Sequence, residues 1–139
     1  MRSVYRALSG LIALGVVVQL AAIAAAWFLV LDDVDKGGVF DNNTRNWGHN
    51  LHSVVGMMVI PLLAVALLVV SFFARIPGGV KWAALTFGSV VLQIVLAFAS
   101  YSVAGLGALH GLNALAVAGL AQMASKQAAK APIAPVAVA

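Results

Sequence analysis

Two of the chain's three histidines, His52 and His110, lie inside strongly apolar stretches, where Gln19, Gln93 and Asn113 are the other conspicuous polar side chains. Ionisable groups and amides are costly in hydrocarbon and usually face a bundle interior or a ligand. Imidazole is a common metal ligand and an axial ligand of haem iron. Two imidazoles at one depth on two different helices suit a planar macrocycle held edge-on with one axial ligand from each side. Bis-His ligation of one b-type haem through His52 and His110 is therefore the sharpest expectation. Such ligation fills both axial positions of the iron, and no buried acid, base or nucleophile accompanies the histidines. Electron transfer or haem carriage follows more naturally than enzymatic chemistry.

The neighbouring residues fit that expectation. Gly56 stands four residues after His52, and Gly107 and Gly111 flank His110 at i−3 and i+1, so these faces leave room for a porphyrin. Asn113, at i+3 from His110, shares its face and is placed to hydrogen-bond a propionate, a backbone carbonyl or a water. Gln19 and Gln93 fall near the middle of the antiparallel partner helices, where they either touch the haem edge, meet each other or serve as interhelical glue. His49, at i−3 from His52, sits at the water boundary as an alternative ligand, a propionate partner or a solvated side chain. Met57 and Met58 read as packing residues, although thioether is also an axial ligand type.

The elements that must position these groups are membrane helices. Of 139 residues, 63% are hydrophobic and 9% charged, far from the balance of a soluble domain. Apolar stretches at about 7–31, 50–74, 80–104 and 106–125 are each long enough to cross a ~30 Å hydrocarbon core. The fold class expected is all-α, an up-down-up-down bundle of four transmembrane helices over 1–126, with a flexible tail over 127–139. In that topology the second and fourth helices lie on a diagonal and run in the same direction, which brings His52 and His110 to one depth. Residues 7–31 exceed a signal-peptide core in length, so the segment reads as a retained anchor. Arg2, Arg6, Arg75, Lys81, Lys126 and Lys130 fall on one side against Lys36 and Arg45 on the other, which places both termini in the cytoplasm of a plasma or inner membrane. Pro61 is expected to kink the second helix, and residues 107–111 form a GxxxG. No repeat of 20–50 residues is visible along the chain.

Composition also excludes. Without cysteine there is no disulfide, no thiolate-held iron–sulfur cluster and no covalent haem attachment. The net charge of +4 is spread over the gaps between spans, so it reports topology and not nucleic-acid binding. Asn42-Asn43-Thr44 matches a glycosylation triplet, a pattern too frequent to carry weight alone.

The order His52-Ser-Val-Val-Gly56, Leu92-Gln93-Ile-Val-Leu-Ala and Leu109-His110-Gly-Leu-Asn113-Ala114 resembles one four-helix half of heme A synthase, and more loosely cytochrome b561-type haem bundles. It is also similar to small four-helix membrane proteins that share the Leu-His-x-x-Asn-Ala ending. The resemblance implies haem ligation by His52 and His110. The synthase carries Glu-x-x-His-Arg where this chain has His49-Asn-Leu-His52-Ser53, so the resemblance does not extend to the carboxylate and arginine used for oxidising a haem methyl group. Two rival readings stand beside haem binding. One is a cofactor-free accessory or structural subunit whose Gly-rich faces pack in a larger membrane complex or a homo-oligomer. The other is a zinc or copper site at the outer membrane boundary built from His49, His52 and His110, with Asp41 as a further ligand.

Overall fold

The computed structural model describes residues 1–41 and 43–130. Four helices in it are long and apolar enough to cross a membrane: α1 Arg2–Asp35, α2 Trp47–Ser71, α3 Gly79–Ser102 and α4 Leu106–Lys130. Among the described residues there is no strand. The helices outrun the apolar stretches that announced them. α1 continues through Arg2 and Arg6, and α4 through Lys126 and Lys130, because the charge-bearing turns beyond a hydrocarbon-length segment keep their backbone bonds. The expected tail over 127–139 is thus helical as far as Lys130, and its remainder, like Asn42 of the glycosylation triplet, lies outside the described residues.

Each helix packs on its neighbour in sequence, and α1 packs on α4 to close the ring. This is the up-and-down arrangement expected, with α2 and α4 on a diagonal. The buried core is concentrated toward the end that carries the α2–α3 turn. Ile12, Leu67, Ala83, Ala121 and Ala124 meet there. The Tyr5 hydroxyl donates to the Gly79 carbonyl at 2.8 Å, tying α1 to the start of α3. Buried hydroxyls turn back on their own helices, Ser9 to the Tyr5 carbonyl, Ser71 to that of Leu68 and Thr86 to that of Trp82. Every such bond removes a polar group that lipid cannot solvate. Gly78, at φ 70°, supplies the left-handed turn from which α3 starts.

Pro61 acts on α2 as the sequence implies, with a specific form. The ladder widens into a π turn over Val55–Val59, and the Ile60 N–H bonds back to the Val55 carbonyl, one residue further than in an α-helix. The two halves of α2 then pack differently. Ile60–Ser71 lies against both α1 and α3, whereas the half carrying His52 leans on α1. α3 and α4 pair along their length, so at the end opposite the α2–α3 turn the molecule consists of two helix pairs, α1 with the start of α2, and the end of α3 with the start of α4.

Candidate cofactor site

The pair α1/α2 is fastened at three levels. Asn46 caps α2, its Oδ1 accepting from the Gly48 and His49 N–H groups at 3.0 and 3.3 Å, while its Nδ2 donates to the Ala26 carbonyl of α1 at 2.9 Å. Gly48 lies on the α1 backbone so closely that a Cβ there would stand 2.6 Å from the Ala22 oxygen and 2.8 Å from the Ala26 nitrogen. One helical turn further on, Gln19 and His52 bond reciprocally. The Gln19 side-chain Nε2 donates to the His52 carbonyl at 2.9 Å, and the His52 ring Nδ1 meets the Gln19 carbonyl at 3.3 Å.

The same clasp recurs in the other pair. Gln93 Nε2 of α3 donates to the His110 carbonyl of α4 at 2.9 Å, and His110 Nδ1 meets the Gln93 carbonyl at 3.0 Å. A carbonyl only accepts, so each contact calls for a proton on Nδ1, and a neutral ring in that tautomer offers Nε2 as its metal-binding nitrogen. Outer partners that fix the tautomer in this way are the usual companions of metal-bound histidine. His110 Nε2 meets the second hydrogen of the Gln93 amide at 3.1 Å. His52 Nε2 makes no hydrogen bond among the described residues.

The two rings face each other across the diagonal with centroids 6.4 Å apart and planes inclined at 58°. Around them is a cavity of about 500 Å³, lined by both histidines, both glutamines, Gly56, Gly107 and Gly111 among mostly apolar side chains from all four helices. Gly111 faces open space, with nothing within 4 Å of a Cβ built there, and Gly107 meets only Ser100 Oγ at 3.9 Å.

Several sequence expectations need correction. Gly56 lines the cavity, but its bare face is occupied by Gln19, whose Nε2 would stand 2.7 Å from a Cβ. The glycine thus makes room for the clasp. Asn113 is not a cavity residue and is not free for a propionate. Its Nδ2 donates to Gln93 Oε1 at 2.7 Å and to the Ser89 carbonyl at 2.9 Å, and its Oδ1 accepts from Ser89 Oγ at 3.0 Å. It holds the amide that holds His110. The glutamines do not meet each other, since each is bonded to the histidine of its own pair. Met57 lines the cavity, whereas Met58 is exposed on the outside of the bundle.

The three-histidine metal site is not assembled. His49 turns away to stand edge-on to Trp27, centroids 6.1 Å apart, with its Nδ1 buried and unpartnered. Asp41 is exposed in the loop, where it accepts from the Asn43 N–H at 2.8 Å and from Thr44 Oγ1 at 3.1 Å, and these bonds hold its carboxyl below the usual carboxylate range. Among the described residues no group of three or more metal-ligating side chains comes together.

Sequence reasoning missed Gly48 and the repetition of the clasp. The Gly48 signal was present, four residues before His52 and therefore on its face. The repetition was hidden by spacing, because Gln19 and His52 are separated by the loop after α1, whereas Gln93 and His110 are joined by a tight turn.

The profile of a family of unknown function (DUF6220) matches residues 37–100. The matched region contains His52, Gly56 and Gln93 but neither Gln19 nor His110, so it spans one partner of each clasp. No curated protein and no solved structure matches the chain.

Proposed function

We propose that the chain is a membrane-embedded b-type haem protein, with His52 and His110 as axial ligands, that carries electrons or haem for a membrane partner. The observation that carries the reading is the matched pair of imidazoles, each held at Nδ1 by a partner-helix carbonyl, on opposite walls of one cavity. His52 and His110, with ring centroids 6.4 Å apart in that cavity, are the residues that would hold the haem iron. The surroundings suit such a group. The wall is largely apolar, Gly107 and Gly111 leave it clear, and both ligands carry their outer hydrogen bonds. When bound, haem supplies one-electron chemistry at its iron. Gln19 and Gln93 orient the rings, and ligation by His110 requires the Gln93 amide to give up its 3.1 Å bond to Nε2 while keeping the one to the His110 carbonyl.

In the same reading both termini are cytoplasmic and the cavity lies toward the outer leaflet of a plasma or inner membrane, from the excess of Lys and Arg at the end bearing the termini. The clasps also favour one other reading, because reciprocal amide–imidazole bonds would pin two helix hairpins in an accessory subunit without any cofactor. An absorption spectrum of protein expressed with haem supplied separates the two. The first reading expects sharp low-spin bands on reduction, lost or converted to high-spin in His52→Ala and in His110→Ala and largely kept in His49→Ala. Absence of haem from the unaltered protein, or normal occupancy in His110→Ala, overturns it.

A further inference from the structure

A second concavity lies on the outside of the bundle, between α1 and α4, and shares no lining residue with the histidine cavity. It measures about 350 Å³ and is lined by Ser9, Gly10, Ala13, Leu14, Val17, Gln122, Ser125 and Lys126. On α1 these positions follow one stripe, and Arg6, four residues before Gly10, continues it toward the helix end. The floor is apolar and furrowed at Gly10, where a Cβ would meet nothing within 4 Å. The polar side is supplied by α4, where the side chains of Gln122 and Ser125 make no hydrogen bond among the described residues and Lys126 is exposed. The furrow therefore has an oily length and a rim of donors with a positive charge, at the level where a membrane helix passes from hydrocarbon to headgroups.

The charge on that rim has no acidic counterpart among the described residues. All four acidic side chains lie between Asp32 and Asp41. Along α1 the distance from Gly10 to Asp32 is about 33 Å at 1.5 Å per residue, several Debye lengths at physiological salt. The acidic cluster even has its own cation, Lys36 on Asp32 at 2.6 Å. Among the described residues Lys126 has no anionic partner, and within a membrane the abundant molecule with an anionic head and an oily body is a phospholipid.

We propose that the α1–α4 furrow is a binding site for one anionic phospholipid, its phosphate against Lys126, Ser125 and Gln122 and an acyl chain along Gly10, Ala13, Leu14 and Val17. The test is native mass spectrometry of the full chain released from vesicles of equimolar phosphatidylglycerol and phosphatidylcholine. The expected result is one retained phosphatidylglycerol, preferred over phosphatidylcholine by about five-fold, the equivalent of about 1 kcal/mol for one lysine near an anionic surface. Lys126→Gln should abolish the preference, and Gly10→Leu, whose Cβ meets nothing within 4 Å and whose branch would occupy the furrow, should abolish retention itself. Lys81→Gln, at the same end but on α3, should change neither. Equal retention in Lys126→Gln and Gly10→Leu overturns the site, as does an equal loss in Lys81→Gln, which would mean diffuse attraction to the basic end. A dimer that disappears in Gly10→Leu, with no lipid preference, overturns it in favour of a contact between two copies of this chain.

Discussion

Gly48→Ala is the substitution whose consequence can be followed furthest. The added Cβ would lie 2.6 Å from the Ala22 oxygen, and ordinary contact begins near 3.4 Å, so α2 must retreat from α1 by about 0.8 Å. The obstacle is helix backbone, which cannot rotate aside. The same retreat stretches the bond from Asn46 Nδ2 to the Ala26 carbonyl from 2.9 Å toward about 3.7 Å, beyond hydrogen-bond reach. Overpacking of this kind costs about 1–3 kcal/mol. Alanine also improves intrinsic helix propensity by up to about 1 kcal/mol, so the proper reference is the same substitution at Gly10 or Gly88, where the new methyl meets nothing within 4 Å. Unfolding of the purified protein in mixed micelles should therefore place Gly48→Ala about 1–3 kcal/mol below Gly10→Ala and Gly88→Ala. Because His52 rides on the same half-helix, the reduced low-spin bands expected of the haem form should weaken in parallel. Equal stability of the three variants would refute the claim that backbone contact at Gly48 sets the spacing of α1 and α2.

Other consequences can be checked with less construction. Asn113→Leu strands Gln93 Oε1 and Ser89 Oγ, and should cost about 1–3 kcal/mol in the same unfolding measurement; in the proposed haem form it should also shift the reduction potential while the low-spin bands stay. The Asp41 carboxylate is held below its ordinary value of about 3.9 by bonds that the ionised form accepts more strongly than the neutral one, so their extra support of the turn is complete above that value and is lost as pH falls through the lower folded value. Hydrogen exchange at the Asn43 amide should stay protected, relative to Asp41→Ala, from pH 5 to 4 and lose part of that protection at more acidic pH. Cysteines introduced singly at Thr44 and at Lys130 should be labelled by an impermeant maleimide from opposite faces of the membrane, and labelling of both from one face would overturn the up-and-down topology.

Much of this structure was legible in the residues. Four uninterrupted apolar stretches leave little choice but four membrane helices, and short links at 72–78 and 103–105 force antiparallel neighbours, from which the diagonal placement of His52 and His110 follows. The pairing of Gln19 with His52 and of Gln93 with His110 was not legible, because it depends on the vertical offset between helices, and apolar faces that slide against lipid and against each other do not encode that offset. Between α1 and α2 it is set by Gly48 against Ala22 and Ala26, a contact of backbone with backbone whose partner on α1 no side-chain pattern announces. For Asn113 the sequence left a propionate, a backbone carbonyl and a water open, and the structure shows the carbonyl, that of Ser89. The spacing of Asn113 from His110 gives the shared face correctly, but not that α3 stands close enough for Ser89 and Gln93 to use up all of its hydrogen-bonding groups.

The π turn in α2 also sets an angular phase. A residue of α-helix advances about 100° around the axis, so the eight steps from His52 to Ile60 would leave the two side chains some 80° apart on a regular helix. The extra residue taken up in Val55–Val59 subtracts about 100°, which returns Ile60 to within about 20° of His52 after close to two full revolutions. The imidazole therefore lies on the same meridian as Ile60, Ala64, Leu67 and Ser71, the buried line of the lower half. Pro61 and the wide turn before it work as a phase corrector, without which a helix aligned to bury Ala64 and Leu67 would present its histidine toward the flank and away from His110.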